Sequence, residues 1–207
     1  YYILDRKDGS APPGIDEMPV KQDARQASWP TQPFPRQGAW TETCIVDQPL
    51  GTAIPGDSNR AVPNYLKGCL YDAHWDVPLL SIPGHGGGAN WNHQSFSPRT
   101  GLVYTGMGYV SAAHSLTESS NGLRPPGTYM TGAVVAVDPS TNLVKWKKPM
   151  PYSLAHGNGI LSTGADLLFI GQPDGNLLAL DAGDGNELWR FQTGAAIAAS
   201  PVAYEVD

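Results

Sequence analysis

Residues 84–98 contain the densest run of side chains that could bind a ligand. Three consecutive glycines at 86–88 let the backbone approach a bound molecule closely. Asn90 and Trp91 follow and supply an amide, an indole N–H and an aromatic face, which suit a planar, oxygen-rich ligand. A glycine-rich turn leading into a strand, with Trp91 in the core, fits the same residues. A dinucleotide site is disfavoured because a strand-like segment, not a helix start, follows the glycines.

Metal and hydrolase chemistry find less support in the sequence. None of the five histidines lies in the HExxH spacing of a helical zinc site, so we expect no metal ligand in this chain. The oxygen-rich residues 181–187 do not match the spacing of a calcium-binding EF-hand loop and predict a hairpin turn. The absence of a Gly-x-Ser-x-Gly motif disfavours a hydrolase.

An internal repeat predicts the elements that position these residues. Residues 135–146 and 178–189 both contain an apolar strand that ends at Asp, a short turn, and a second strand with Trp eight residues after that Asp. The copies are 43 residues apart, a period typical of β-propeller blades of four strands. Each Trp offers a flat surface on which a neighbouring blade can dock. We therefore predict an all-β fold, a β-propeller, with a four-stranded meander over residues 160–192.

The tetrapeptide His-Gly-Asn-Gly at residues 156–159 directly precedes that meander. At the start of an inner strand it would face the central channel of a propeller, where ligands of this architecture bind. Without a cofactor it is simply a turn. A weaker echo of the repeat, a strand, a Pro-containing turn and a second strand, is predicted over residues 96–104.

Two regions interrupt the regular pattern. Residues 10–84 are irregular and rich in Pro and Gly, and we expect edge strands at most there, because Pro donates no ladder hydrogen bond. Residues 107–130 predict a second insertion, a surface loop. Strand-like sequence at residues 1–5 and 198–207 predicts a fragment of a larger protein. The whole chain, residues 1–207, is then a partial propeller whose regular blades lie in residues 131–207.

Composition excludes several classes of protein. The formal net charge is −6 and there is no basic run, so nucleic-acid binding is disfavoured. No stretch of about 18 apolar residues predicts a membrane-spanning helix, and the first residues lack the basic region of a signal peptide. Cys44 and Cys69 have neither zinc-ribbon nor c-type haem spacing. A disulfide, which would fit an oxidising compartment, and two unpaired buried thiols both remain open.

Three motifs together resemble the C-terminal part of dehydrogenases that depend on pyrroloquinoline quinone (PQQ). They are Gly-Gly-x-Asn-Trp at 87–91, Ser-Phe-Ser-Pro-Arg-Thr-Gly-Leu-Val-Tyr at 95–104, and Leu-Ser-Thr-Gly-Ala-Asp-Leu-Leu-Phe-Ile-Gly at 161–171. The resemblance is loose over residues 10–83. It implies an eight-bladed parent with PQQ and Ca²⁺ on its axis. It also implies periplasmic oxidation of an alcohol, polyol or sugar, with a haem protein or ubiquinone as electron acceptor.

The resemblance also assigns site residues. Asn90 matches the family's asparagine beside the quinone oxygens, Trp91 occupies the adjoining pocket position, and Asn158 and Gly159 match a pair that approaches the cofactor. The family's catalytic Asp, basic residue and calcium ligands belong upstream of Tyr1, so we expect no catalytic residue in this chain and no activity from it alone. The alternative is a non-catalytic propeller that binds partners, similar to the outer-membrane assembly lipoprotein. Residues 86–91 favour the enzyme, since a scaffold needs no amide and indole at the axis.

Overall fold

The computed structural model describes residues 1–45, 53–54, 57–61, 65–116, 128 and 130–206. In these ranges the chain forms fifteen β-strands in five sheets and no helix, which confirms the all-β prediction. The strands are β1 (Ile15–Pro19), β2 (Thr31–Pro35), β3 (Ala53–Ile54), β4 (Asp57–Ala61), β5 (Leu66–Lys67), β6 (Leu79–Ser81), β7 (Ser95–Ser97), β8 (Leu102–Val110), β9 (Ala112–His114), β10 (Met130–Asp138), β11 (Leu143–Met150), β12 (Ile160–Ser162), β13 (Leu167–Gly171), β14 (Asn176–Asp181) and β15 (Glu187–Gln192). A helix able to cross a membrane is therefore absent from the ranges just given.

The chain divides into two compact units. One comprises Tyr1–Gly88 and Tyr109–Met130, and we call it the mixed unit. The other comprises Ala89–Gly108 and Thr131–Asp207, and we call it the blade unit. The blade unit contains almost all of the regular sheet, and the mixed unit contains short strands joined by longer connections.

The blade unit contains two four-stranded antiparallel sheets, in the orders β11-β10-β8-β7 and β12-β13-β14-β15. The predicted meander over residues 160–192 is confirmed as the second sheet. Each sheet has a register shift in its outermost pair, between Ala136 and Val137 in one and between Ala179 and Leu180 in the other. These shifts are 43 residues apart, as the sequence repeat is, so the two sheets are copies of one blade.

The predicted docking of Trp146 on the next blade is confirmed. Its indole Nε1 donates to the carbonyl oxygen of Ala182 at 3.0 Å, in the turn between β14 and β15. Its ring lies against Gly185, which has φ +76°, and a Cβ there would lie 2.8 Å from the ring atoms. Tyr104, fully buried, donates to the same Ala182 oxygen at 3.0 Å. The space between the sheets is filled by buried aliphatic side chains, among them those of Val134, Leu154, Ile160, Leu168, Ile170, Leu178 and Leu180.

The mixed unit is held together by contacts between residues far apart in the sequence. Cys44 and Cys69 form a disulfide, with their Cα atoms 3.9 Å apart, which decides between the two alternatives left open by the sequence. Beside it, a small cluster packs Ile45 against Leu80, Ile82 and Ala113. Here, Pro-containing β1 and β2 form a two-stranded sheet in which both strands are edges, as expected for Pro.

The predicted strands over residues 1–5 and 198–207 are wrong for the residues described. A strand needs a neighbour with which to exchange backbone hydrogen bonds. Residues 1–5 instead enter a turn in which the Gly9 N–H donates to the Asp5 oxygen at 2.8 Å. Residues 198–206 have no ladder partner in the described chain, and the side chains of Val202, Tyr204 and Val206 are exposed.

Two further expectations fail in the mixed unit and at its boundary. The surface loop predicted over residues 107–130 is wrong for residues 107–114, which are the end of β8 and the whole of β9 and include buried Met107 and Ala113. Most of the remainder, residues 117–127 and 129, lies outside the described residues. The edge strands predicted for residues 10–84 also have an exception, because β6 is fully buried between β5 and β9. The short Leu-Leu-Ser sequence of β6 does not predict its central position in a sheet, because its partner β9 is more than 30 residues away.

Candidate functional site

Three segments of the blade unit meet at one end of its two sheets. Strands β7 and β12 are each the last strand of their sheet and lie against each other, so the residues that precede them are neighbours. The Ile160 N–H donates to the His93 oxygen at 3.1 Å across this junction. Residues 197–200, which follow β15, return to the same place. The two predicted site segments, 90–93 and 156–159, are therefore brought together.

Asn92 and Asn158 play the same part in the two blades. The buried Asn92 amide donates to the Gly106 oxygen at 2.9 Å, and the buried Asn158 amide donates to the Gly171 oxygen at 3.1 Å. Extension of the β7–β8 and β12–β13 registers places each acceptor opposite the residue that follows the asparagine. Asn92 and Asn158 are therefore equivalent positions, each pinning an inner segment to the adjacent strand.

This equivalence pairs Trp91 of one blade with Gly157 of the next. The Trp91 side chain is 65% exposed, and its ring lies against the bare backbone of Gly157, where a Cβ would lie 3.3 Å from the nearest ring carbon. Gly157 has φ +83° and also lies against the Ala198 carbonyl, so both conformation and space require glycine there. His156 lies edge-on to the Trp91 ring, with ring centroids 6.4 Å apart.

Asn90 is held beside Trp91 by its own backbone. The Asn90 N–H donates to the side-chain oxygen of buried Asn92 at 3.2 Å, which fixes the turn that presents both residues. Asn90 is exposed, as is Trp91. The site thus combines an amide, an indole and an imidazole on one accessible surface, with buried asparagines underneath. The arrangement of Trp91 excludes the alternative in which its ring fills the core.

Asn158 and Gly159 are packed more tightly than Asn90 and Trp91. The Asn158 amide donates to the Ile197 oxygen at 2.6 Å as well as to Gly171, so its nitrogen is committed to the protein. A Cβ on Gly159 would overlap the Ser200 side chain. These two residues shape the loop that carries His156 and Gly157. Whether any of the four predicted residues contacts a cofactor stays a prediction.

The segment 197–200 is the part of the site that sequence reasoning missed. The Ser200 hydroxyl and the His93 Nδ1 lie 2.7 Å apart, and the Ile197 side chain lies against Gly171. The only local signal is a run of small residues after β15, which does not indicate where the chain goes. Its position follows from the shapes of Gly157, Gly159 and Gly171, which together leave room for it.

The far ends of β7 and β12 are also joined. Arg99, in the turn after β7, donates through Nε and an amino group to both carboxylate oxygens of Asp166, each at 2.9 Å. The guanidinium holds the pKa of Asp166 below its ordinary value of 3.8. Nearer the middle, the Ser95 and Ser162 hydroxyls lie 2.6 Å apart. The strands that carry the site are thus fixed at both ends.

The amino-acid sequence matches the family described as a PQQ glucose/ethanol/alcohol dehydrogenase β-propeller domain over residues 1–131. The chain belongs to this family. The match includes residues 10–83, where the motif resemblance is loose, so the irregular region is itself a family feature. The cofactors of this family are PQQ and a metal ion such as Ca²⁺.

Individual relatives agree with this assignment. The lupanine 17-hydroxylase [cytochrome c] of a Pseudomonas species is 33% identical over 81% of this chain and 24% of its own length. The quinoprotein alcohol dehydrogenase PedE of Pseudomonas putida KT2440 is 35% identical over 100% of this chain and 30% of its own length. The solved structure of quinohemoprotein alcohol dehydrogenase ADHIIG of Pseudomonas putida HK5 is 29% identical, with a TM-score of 0.54. The match covers 63% of this chain and 22% of that chain. The chain therefore spans less than a third of the length of these relatives.

Proposed function

We propose that this chain supplies one wall of the PQQ pocket in a dehydrogenase that oxidises an alcohol, a polyol or a sugar. The observation that carries the proposal is the exposed Trp91 side chain beside exposed Asn90, at the end where two inner strands meet. A large aromatic side chain that stays accessible on a rigid support is suited to stack on a flat molecule. Family membership makes PQQ the candidate for that molecule.

The residues present fit a planar, oxygen-rich group on one side. Trp91 offers its indole face and N–H, and the Asn90 amide can donate to a carbonyl or carboxylate oxygen. Because Gly157 has no side chain, the Trp91 ring can lie directly against the backbone of the neighbouring blade. Asn158 and Gly159 act through the loop, which they hold in place. The chemistry that PQQ supplies when bound is acceptance of a hydride from the alcohol carbon.

The chain's own residues do not complete that chemistry. Alcohol oxidation requires a base for the hydroxyl proton, and an asparagine amide cannot take it. Within the ranges that the structure describes, no group of three or more His, Cys, Asp or Glu could hold a metal ion. By resemblance to the family, we propose that residues upstream of Tyr1 supply the base and the Ca²⁺ ligands, and that the chain is inactive alone. The roles of Asn90 and Trp91 are to bind and orient.

Partners and compartment belong to the same proposal. A haem protein or ubiquinone is the acceptor for the electrons. The name of the lupanine relative includes cytochrome c, which supports a haem protein. We propose a periplasmic location in bacteria. The Cys44–Cys69 disulfide supports it, since disulfides persist in oxidising compartments.

The binding role is tested with a protein that contains this chain, freed of cofactor and titrated with PQQ and Ca²⁺. Trp91→Ala and Asn90→Ala are expected to weaken PQQ binding by about ten-fold or more, because stacking or a hydrogen bond is each worth about 1–2 kcal/mol. Trp29→Ala is the matched control, since Trp29 is a comparably exposed tryptophan in the mixed unit. Equal affinities in the Trp91 and Trp29 variants would remove Trp91 from the pocket.

The reaction is tested in the same protein by following reduction of an artificial dye with ethanol, glycerol or glucose. Turnover with at least one of them supports the dehydrogenase and identifies the substrate class. Dye reduction by none of the three, together with no binding of PQQ, would contradict the enzyme proposal.

A further inference from the structure

The mixed unit contains a cavity of about 340 Å³ that no part of the proposed reaction uses. Three of the five histidines of the chain line it: His74, His85 and His114. The imidazole rings of His74 and His114 have centroids 5.6 Å apart. Lys21 adds a fixed positive charge at the wall. Three imidazoles and an ammonium in one cavity form an unusual concentration of N–H donors.

One acidic side chain opposes this set. Asp72 is the only acidic residue in the lining, and its Oδ2 accepts the Cys69 backbone N–H at 2.9 Å. Burial, and the positive charges that His74 and His85 would carry, hold the pKa of His114 below its ordinary value. Mutual repulsion of that kind is relieved by an anion placed among the rings. Among the side chains that line the cavity, Lys21 and the three histidines can carry positive charge, Asp72 carries negative charge, and Tyr71 adds a phenol.

A metal ion is not the occupant that this geometry favours. Among the residues described, no three His, Cys, Asp or Glu side chains are arranged to hold a metal. The remaining wall is partly apolar and includes Leu79 and Pro83. Tyr71 also lines the cavity, in the turn where the Asp72 N–H donates to the Cys69 oxygen at 3.1 Å. The cavity therefore pairs donors for an anion with room for an apolar body.

We propose that this cavity binds a small carboxylate with an apolar body, whose carboxylate lies between His74 and His114. Charge-assisted hydrogen bonds from protonated imidazoles and from Lys21 hold the carboxylate oxygens, and the side chains of Leu79 and Pro83 cover the apolar part. The inference is independent of the proposed PQQ site. Affinity rises as the pH falls, because His114, whose pKa burial holds below its ordinary value, becomes an imidazolium donor to the carboxylate only in acid.

The test uses benzoate as the probe and isothermal titration calorimetry of the purified protein. Saturable binding is expected, several-fold tighter at pH 6 than at pH 7.5, because a site that requires protonated His114 gains affinity as the protonated fraction rises. Benzamide, a neutral molecule of the same shape, is expected to bind at least ten-fold more weakly at pH 6. Phosphate is expected to compete poorly, since it lacks the apolar body. Binding of benzamide or phosphate as tight as that of benzoate, or affinity independent of pH, would overturn the proposal.

Variants then locate the site. His74→Gln and His85→Gln change exposed side chains and keep the fold, and His74→Gln is expected to weaken benzoate binding about ten-fold at pH 6. His156→Gln, which removes an exposed histidine of the blade unit, is the control and is expected to leave benzoate binding unchanged. Loss of binding in His156→Gln with retention in His74→Gln would place benzoate outside this cavity and contradict the proposal. The proposed PQQ pocket is tested separately, by the PQQ titration of the Trp91 and Asn90 variants.

Discussion

The two units of this chain are stabilised in different ways. In the blade unit, the antiparallel hairpin repeats after 43 residues, Trp146 docks on the turn after β14, and the aliphatic core lies between the two sheets. In the mixed unit, the stabilising contacts join distant segments: the Cys44–Cys69 disulfide, and the Trp75 Nε1 bond to Asp23 at 2.8 Å. The comparison teaches that the blade unit depends on buried apolar area and the mixed unit on cross-links.

The largest effect is expected from the core of the blade unit. Leu168 is fully buried between the sheets, and Leu168→Ala is expected to lower the free energy of unfolding by about 3–4 kcal/mol through lost burial and the cavity that remains. Denaturant unfolding measures it. Leu188→Ala is the control, because Leu188 is 57% exposed on β15, and its effect is expected to be below about 1 kcal/mol. Equal losses would show that the core is not where the blade unit is stabilised.

The next effect is expected in the mixed unit. Removing the disulfide with Cys44→Ser and Cys69→Ser opens a loop closed over a separation of 25 residues and is expected to reduce stability by about 3 kcal/mol. Hydrogen exchange should show faster amide exchange in β6 and β9, with β13 and β14 unchanged. A reducing agent, which weakens the parent protein, should leave the double variant unaffected. The same loss of protection in both units would break the distinction between them.

A smaller effect separates the two repeated tryptophans. Trp146 is docked on Ala182 and Gly185, whereas Trp189 is 47% exposed and stacks on Phe191 with centroids 5.9 Å apart. Trp146→Ala is expected to cost about 2 kcal/mol of unfolding free energy, since much of a tryptophan surface and one hydrogen bond are lost. Trp189→Ala is expected to cost less than half of that. Thermal unfolding of both variants checks the order, and the reverse order would show that docking contributes little.

The same division explains what could be predicted from the sequence. The Asp-turn-Trp repeat was sufficient to predict four-stranded blades and the docking of Trp146, because the β10–β11 and β14–β15 hairpins that carry it are each encoded by contiguous residues. The meeting of Asn90–Trp91 with residues 156–159 also follows once both are placed before inner strands. The 43-residue repeat therefore predicts where each of these segments lies in its blade.

Contacts without a period were not predictable. The burial of β6 depends on β9, a partner more than 30 residues away, and the cavity depends on His74, His85 and His114 being brought together by that pairing. No side chain in residues 197–200 predicts that this segment contacts Gly157 and Gly159. Exposure of Trp91 was equally hidden, since a tryptophan after glycines fits a core position as well as a ligand surface.

The smallest effect expected is a pH dependence at the ends of β7 and β12. Arg99 lowers the pKa of Asp166 from its ordinary 3.8, so in the folded state Asp166 releases its proton at a lower pH than in the unfolded chain. The pair therefore contributes stability above about pH 4 that is lost as the pH falls through the folded pKa. Asp166→Asn should be less stable than the parent at pH 7, by less than the tryptophan effect because the pair is exposed. Denaturant unfolding at pH 7 and pH 3 measures the difference in unfolding free energy between the parent and the variant, which should be smaller at pH 3. A larger difference at pH 3 would show that Asp166 is stabilised in its protonated form and that the Arg99 ion pair does not join the two blades.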